Sequence, residues 1–157
     1  MGAMSTLKDR LRADLTAAIK GRDEVRSSTL RMALTAVRST EVAGPTARTL
    51  SDDEVEGVLG REAKKRREAA TAYTEAGRAD LAERETAELA VLEGYLPQQM
   101  SDEELSGLVA EAVAEVSATG AAGPAAIGRV MKLVQPKVAR RAEGGRVAAE
   151  VRRQLSV

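Results

Sequence analysis

The sequence predicts an all-α protein, with an N-terminal lobe of antiparallel helices over residues 5–97 and a small three-helix C-terminal lobe over residues 98–157. Three observations carry this. Apolar residues recur at three- and four-residue spacing in every periodic segment, and no useful length alternates with period two. Ala, Glu, Arg and Leu dominate while only two Tyr and no Phe or Trp are present, so the core must be built from small and branched aliphatics that suit helix-on-helix packing. Finally, Tyr95-Leu96-Pro97-Gln98-Gln99 interrupts the periodicity, because the residue before a proline is pushed out of the helical region.

Seven helices are expected. Leu7, Leu11, Leu15 and Ile19 mark the first, with Ser5 as its N-cap and Gly21 just past its end. Asp23 caps a second, whose broad apolar band includes Val25, Leu30, Ala33, Leu34 and Val37 and which stops before the breaker pair Gly44-Pro45. Ser51-Asp52-Asp53-Glu54 fits a capping box and opens a long third helix carrying Val55, Val58, Leu59, Ala63, Ala70 and Tyr73, closed by Gly77. Asp80 to Glu83 opens a fourth, antiparallel to the third, with Leu81, Leu89, Leu92 and Leu96. Ser101-Asp102-Glu103-Glu104 reads as a second capping box before the cleanest stripe in the chain: Leu105, Leu108, Val109, Ala112, Val113 and Val116. Ile127, Val130, Met131 and Val134 mark the sixth helix, which Pro136 should end. Gly144-Gly145 should then permit a tight reversal before a last helix on Val147, Val151 and Leu155. Residues 1–4 are read as an expression scar and start Met.

The residues that are missing exclude much chemistry. With no His and no Cys there is no Ser-His-Asp triad, no thiolate nucleophile and no His- or Cys-ligated zinc. No Gly-rich phosphate loop occurs either. The chain is therefore read as non-catalytic by itself, with no cofactor and no metal. No run approaches the roughly 18 apolar residues of a membrane span, and no signal-peptide core opens the chain. The expectation is a cytoplasmic monomer that does not engage a membrane.

The formal net charge is zero, but it is unevenly spread. Residues 101–118 hold five acids and no base, whereas residues 119–157 hold eight bases and two acids, an excess of six. A polyanion would meet that tail first. Arg129 and Lys132 point away from the apolar stripe of the sixth helix, and Lys137, Arg140 and Arg141 are expected on an irregular connection after Pro136, with Arg146 beyond it. Guanidinium forks and ammonium groups there suit phosphate oxygens; a solvated basic surface is the other reading. For Arg61, Lys64, Lys65, Arg66 and Arg67 the pairs Glu62/Arg66 and Lys64/Glu68 favour a self-neutralised helix face. Tyr73 and Tyr95 are read as core, not base-stacking platforms.

Leu30-Arg31-Met32, Arg61 to Tyr73 with Ala76-Gly77-Arg78, Glu88 through Tyr95-Leu96-Pro97, the Ser-Asp-Glu-Glu-Leu start at 101 and Gly128-Arg129-Val130-Met131-Lys132 together resemble the GatB/YqeY family, across nearly the whole chain after Met4. The resemblance implies a stand-alone relative of the all-helical tail of the B subunit of glutamyl/aspartyl-tRNA amidotransferase, a tRNA-contacting appendage separate from the transamidation site. It thereby links the chain to translation and to glutamine-dependent carbon–nitrogen ligase systems. The family pattern has Gly where Arg141 stands and Asp or Asn where Glu143 stands. Two functions are open: a non-catalytic tRNA-binding module or accessory, recognising shape and phosphate, or a protein-interaction module docking on an aminoacyl-tRNA synthetase or amidotransferase subunit without RNA contact.

Overall fold

The structure is a computed structural model that describes residues 6–156. Among them are seven helices and no strand: α1 (Leu7–Lys20), α2 (Glu24–Glu41), α3 (Asp52–Glu75), α4 (Ala79–Glu93), α5 (Asp102–Ser117), α6 (Gly123–Val138) and α7 (Gly144–Leu155). The fold is all-α, as its periodicity predicts. It divides into two compact units, one ending at Leu96 and the other beginning at Pro97.

In the first unit, Thr6 caps α1: its hydroxyl accepts from Asp9 N–H at 3.0 Å and the Asp9 carboxylate accepts from Thr6 N–H at 3.3 Å. The cap expected at Ser5 and residues 1–4 lie outside the described residues. An every-fourth-residue stripe drifts by about 40° per step on a helix of 3.6 residues per turn. Leu7 and Leu11 are therefore buried, Ile19 swings out to 48% exposure, and Ala18 takes the inward place. The left-handed position that ends α1 is Arg22 (φ 56°), one residue past Gly21, with Asp23 N–H donating to Ala18 C=O at 2.9 Å.

Asp23 caps α2 by accepting from Arg26 N–H at 3.1 Å, and Leu30, Ala33 and Val37 turn inward. At the end of α2, Glu41 is drawn inside. Its carboxylate accepts from Lys8 Nζ at 2.7 and 2.8 Å and from Leu50 N–H at 3.2 Å, joining α1, α2 and the chain entering α3. Lys8 and the Leu50 amide hold its pKa below the usual carboxylate range. The capping box at Ser51 forms, and Glu54 also takes a bidentate Arg48 at 3.0 and 2.5 Å, which brings its pKa down to about 2.

α3 packs along α4 through the turn at Gly77 (φ 76°). The basic run on α3 is largely neutralised, with Arg66 3.9 Å from Glu62, 3.7 Å from Glu85 and 3.1 Å from Glu88, and Lys64 4.0 Å from Glu68. Tyr95 closes the core at 9% exposure. Its hydroxyl donates to Asp14 and accepts from Arg26 at 3.2 Å, and Arg10 lies 5.6 Å from its ring centroid. Burial and the Asp14 carboxylate push the Tyr95 pKa up to about 12.

The second unit has its own core, in which Leu105, Val109, Val130, Val134, Val147 and Val151 interlock between α5, α6 and α7. Three expectations are corrected here. Pro136 does not end α6, which continues to Val138. A proline so near a helix end removes one N–H and crowds one carbonyl, while Ala139 N–H still donates to Gln135 C=O at 2.9 Å and Val138 is buried. Gly144 and Gly145 do not make the reversal, since they are the first residues of α7 and neither has positive φ. The reversal falls on Ala139 (φ 48°, ψ −118°), with Arg141 N–H donating to Val138 C=O at 2.9 Å, the geometry of a type II′ turn that favours glycine at that position. Finally, Ser101 accepts from Glu104 N–H at 3.1 Å but the box does not close, because the Glu104 carboxylate is turned to Arg141.

Two outcomes follow from this packing. Ala139→Gly relieves the strained turn and stabilises the protein by about 1 kcal/mol, read as a higher urea midpoint at unchanged slope; a lower midpoint would contradict the turn assignment. The folded chain holds the Tyr95 proton more tightly than the unfolded one, whose ordinary pKa is 10.0. Its contribution is therefore complete below pH 10 and fades as pH rises toward about 12, so alkaline titration of stability should show a fall in that window that Tyr95→Phe abolishes.

Candidate nucleic-acid interface

The six cations that the sequence singles out all lie in the second unit, on α6, α7 and the connection between them. They divide by what they touch. Lys137 lies in the last turn of α6, not on an irregular connection, because the helix runs through Pro136. Arg140 and Arg141 do lie on the connection.

Arg141 is committed to the fold. Its guanidinium meets both oxygens of Glu104 at 2.9 and 3.0 Å, and its Nε donates to Gln98 C=O at 2.9 Å. Its own C=O accepts from Met100 N–H at 2.7 Å, while Gln99 Nε2 donates to Arg140 C=O at 3.1 Å. The connection is thus stitched to the segment that leads into α5. Arg146 is similarly engaged, with Asp102 at 2.6 Å. These pairs also explain the charge sorting seen in the sequence: acids in the first turn of α5 favour the positive helix end and at the same time neutralise bases brought over from the tail. Glu143 is the N-cap of α7 but makes no capping hydrogen bond through its side chain, where a shorter Asp or Asn side chain would reach the backbone.

The remaining cations are differently placed. Arg129, Lys132 and Lys137 are exposed on α6. Arg129 donates from Nη1 to Thr119 Oγ1 at 3.3 Å, and none of the three forms an ion pair with a carboxylate among the described residues. Gly128 gives this face a low step, since a Cβ built there meets nothing within 4 Å. The result is an open basic ridge with rotatable donors and no local counter-charge, which suits phosphate oxygens. On α7, Arg153 is engaged by Glu150 at 2.6 Å, which helps bring that carboxylate to about 2.

Of the aromatic side chains, Tyr95 is buried and hydrogen-bonded, and Tyr73 is half-buried on α3. Among the described residues no group of His, Cys, Asp and Glu is arranged to hold a metal ion, and no helix is long and apolar enough to cross a membrane. Sequence reasoning left unremarked the exposed cations Arg12 and Arg38 of the first unit, which line a cavity between α1 and α2. The signal was present in the nine bases against five acids of residues 5–50.

A family model described as Yqey-like protein matches residues 8–155. No curated protein matches the chain.

Double-mutant cycles test the assignment of Arg141 and Arg146 to structure. Exposed pairs of this kind give coupling energies of about 0.2–1 kcal/mol that shrink with added salt, and the bidentate Arg141/Glu104 pair should exceed Arg146/Asp102. Zero coupling at Arg141/Glu104 would remove the clamp.

Proposed function

The chain belongs to the family of Yqey-like proteins, and on that premise we propose that it is a non-catalytic RNA-binding accessory whose C-terminal unit grips the backbone of tRNA. The observation that carries this reading is the ridge on α6, where Arg129, Lys132 and Lys137 stand exposed without a carboxylate partner among the described residues. Gly128 to Lys132 is also one of the stretches on which the resemblance to the amidotransferase tail rests. A folded domain that neutralises Arg141 and Arg146 internally, yet leaves these three open, offers an electrostatic footprint for a polyanion.

The mode of recognition follows from what is absent as well as from what is present. With Tyr95 enclosed by Asp14 and Arg26, the C-terminal unit holds no aromatic platform for splayed bases. Shape and phosphate are therefore what it reads. The chain has no His or Cys and no Gly-rich phosphate loop, so the reading assigns it a positioning role toward tRNA within an amidotransferase-type or synthetase-type system, not a chemical step.

Replacing Arg129, Lys132 and Lys137 together by Ala should weaken tRNA binding at low salt without loss of helix. The slope of log affinity against log salt should flatten by roughly 0.7–0.9 for each phosphate that the variant no longer neutralises. Arg146→Ala should leave the slope unchanged. Wild-type protein with no measurable tRNA affinity even near about 50 mM salt would overturn the RNA reading.

A further inference from the structure

We infer that the cavity between α1 and α2 is a binding site for a small phosphomonoester, held as a dianion between Arg12 and Arg38. The cavity measures about 200 Å³ and is walled by Lys8 and Arg12 of α1 and by Leu34, Thr35, Arg38 and Glu41 of α2. The register of the helix hairpin brings the two arginines to it. α1 and α2 are joined by residues 21–23 and tied at their far ends by Lys8 Nζ and Glu41, at 2.7 Å. Along an antiparallel pair, one turn forward on one helix is matched by one turn back on the other, about 5.4 Å in each case. Arg12, one turn after Lys8, and Arg38, one turn before Glu41, are therefore set on opposite walls of the same cavity.

The carboxylate in the wall does not satisfy them. Three cations and one carboxylate leave an excess of two positive charges. Both Glu41 oxygens accept from Lys8 Nζ, and Oε2 also accepts from Leu50 N–H. Arg12 is near enough to favour the ionised form of Glu41, yet neither Arg12 nor Arg38 makes a side-chain hydrogen bond or ion pair to a carboxylate among the described residues. Thr35 adds a hydroxyl that is free to donate. On the same helix Thr29 and Thr40 turn theirs onto the C=O groups of Val25 and Ala36, at 2.7 and 3.1 Å, whereas that of Thr35 makes no such bond among the described residues. Half-buried Leu34 supplies an apolar stretch of wall, beside which charges act more strongly than in water.

Charge and shape choose among anions. A phosphomonoester carries close to two negative charges and three peripheral oxygens, so it cancels the excess and offers oxygens to both guanidinium forks and to the Thr35 hydroxyl. A carboxylate has one charge and two oxygens in a plane, and a phosphodiester of a nucleic-acid backbone has one charge and two free oxygens. Either would leave one of the two arginines without a counter-charge. The volume limits the guest as well: about 200 Å³ is several times the roughly 30 Å³ that a water molecule occupies, room for a phosphoryl group with a few atoms of its ester and too little for a helix or a duplex. None of these residues belongs to the α6 ridge, so this inference stands or falls independently of the RNA reading.

The test is a titration of the full chain followed by amide NMR signals at about pH 8, where a monoester is doubly charged, with methyl phosphate beside dimethyl phosphate and acetate at fixed ionic strength. Methyl phosphate should shift the signals of Arg12, Thr35 and Arg38 saturably. Arg12→Gln and Arg38→Gln should each weaken it about tenfold, the scale of one hydrogen bond to a charged group. Both side chains are exposed, so both variants should keep the parent's helical spectrum, and Lys132→Gln in the other unit should leave the affinity unchanged. Dimethyl phosphate and acetate should bind about tenfold more weakly than methyl phosphate, for want of the second charge. No saturable shift with methyl phosphate, equal affinity for dimethyl phosphate or acetate, or undiminished binding by both arginine variants would each overturn the inference. Displacement of methyl phosphate by a tRNA stripped of its 5′-phosphate would overturn it too, by making a nucleic-acid backbone the occupant.

Discussion

Each unit is cross-linked by carboxylates that reach across the sequence, and in each one of them makes more than one contact. Glu41 binds Lys8, 33 residues away, and the Leu50 amide, while Glu104 binds Arg141, 37 residues away. The need for such clamps follows from the core. Leu, Val and Ala interdigitate well but bury little surface each, and in a chain of this size helices that meet through short side chains are poorly fixed against sliding. A bidentate carboxylate is directional where aliphatic packing is not, so it fixes the register that the core leaves loose. Both clamps also act on charge: Glu41 is held in its ionised form by Lys8, and Glu104 neutralises a base that would otherwise join the open ridge on α6.

The cations of the protein accordingly fall into two populations with different physics. Arg66, Arg84, Arg141 and Arg146 are bound to carboxylates within the fold and set its geometry. Arg38, Arg61, Lys132 and Lys137 face outward, and their field is available to other molecules. Formal neutrality of the chain conceals this division, because the acids are concentrated where helices begin and where bases are already committed.

What the sequence made legible was local. Capping residues at Asp23, Ser51 and Ser101, the breaker at Gly77 and the stripes of α2 and α5 depend on interactions within three or four positions, and they stand where spacing placed them. What it concealed was decided by distant partners. Ser101 and Glu104 satisfy every sequence requirement of a capping box, yet Arg141 competes for the carboxylate and wins it. Pro136 reads as a helix end only if the following residues gain nothing from helix, whereas Val138 gains burial. The role of Arg141 was hidden for the same reason: a charge on a loop looks the same in sequence whether it faces solvent or a carboxylate folded back from another helix. The cavity between α1 and α2 left only a count of bases in the sequence, because it exists only once Arg12 and Arg38 are brought to its walls.

The exchange at Glu104 carries an evolutionary corollary. A glycine at position 141 would present no guanidinium, and the carboxylate at 104 would then be free to accept from the backbone N–H of residue 101 and complete its own helix start. Arg at 141 draws that carboxylate outward and turns a helix-start motif into a cross-link between distant segments. The two positions therefore hold a single degree of freedom between them. Among relatives they should drift as a pair, with Arg at one accompanied by an acid at the other, while a lineage carrying glycine at 141 is free to replace the acid with Gln, which serves the backbone equally well but cannot hold a cation.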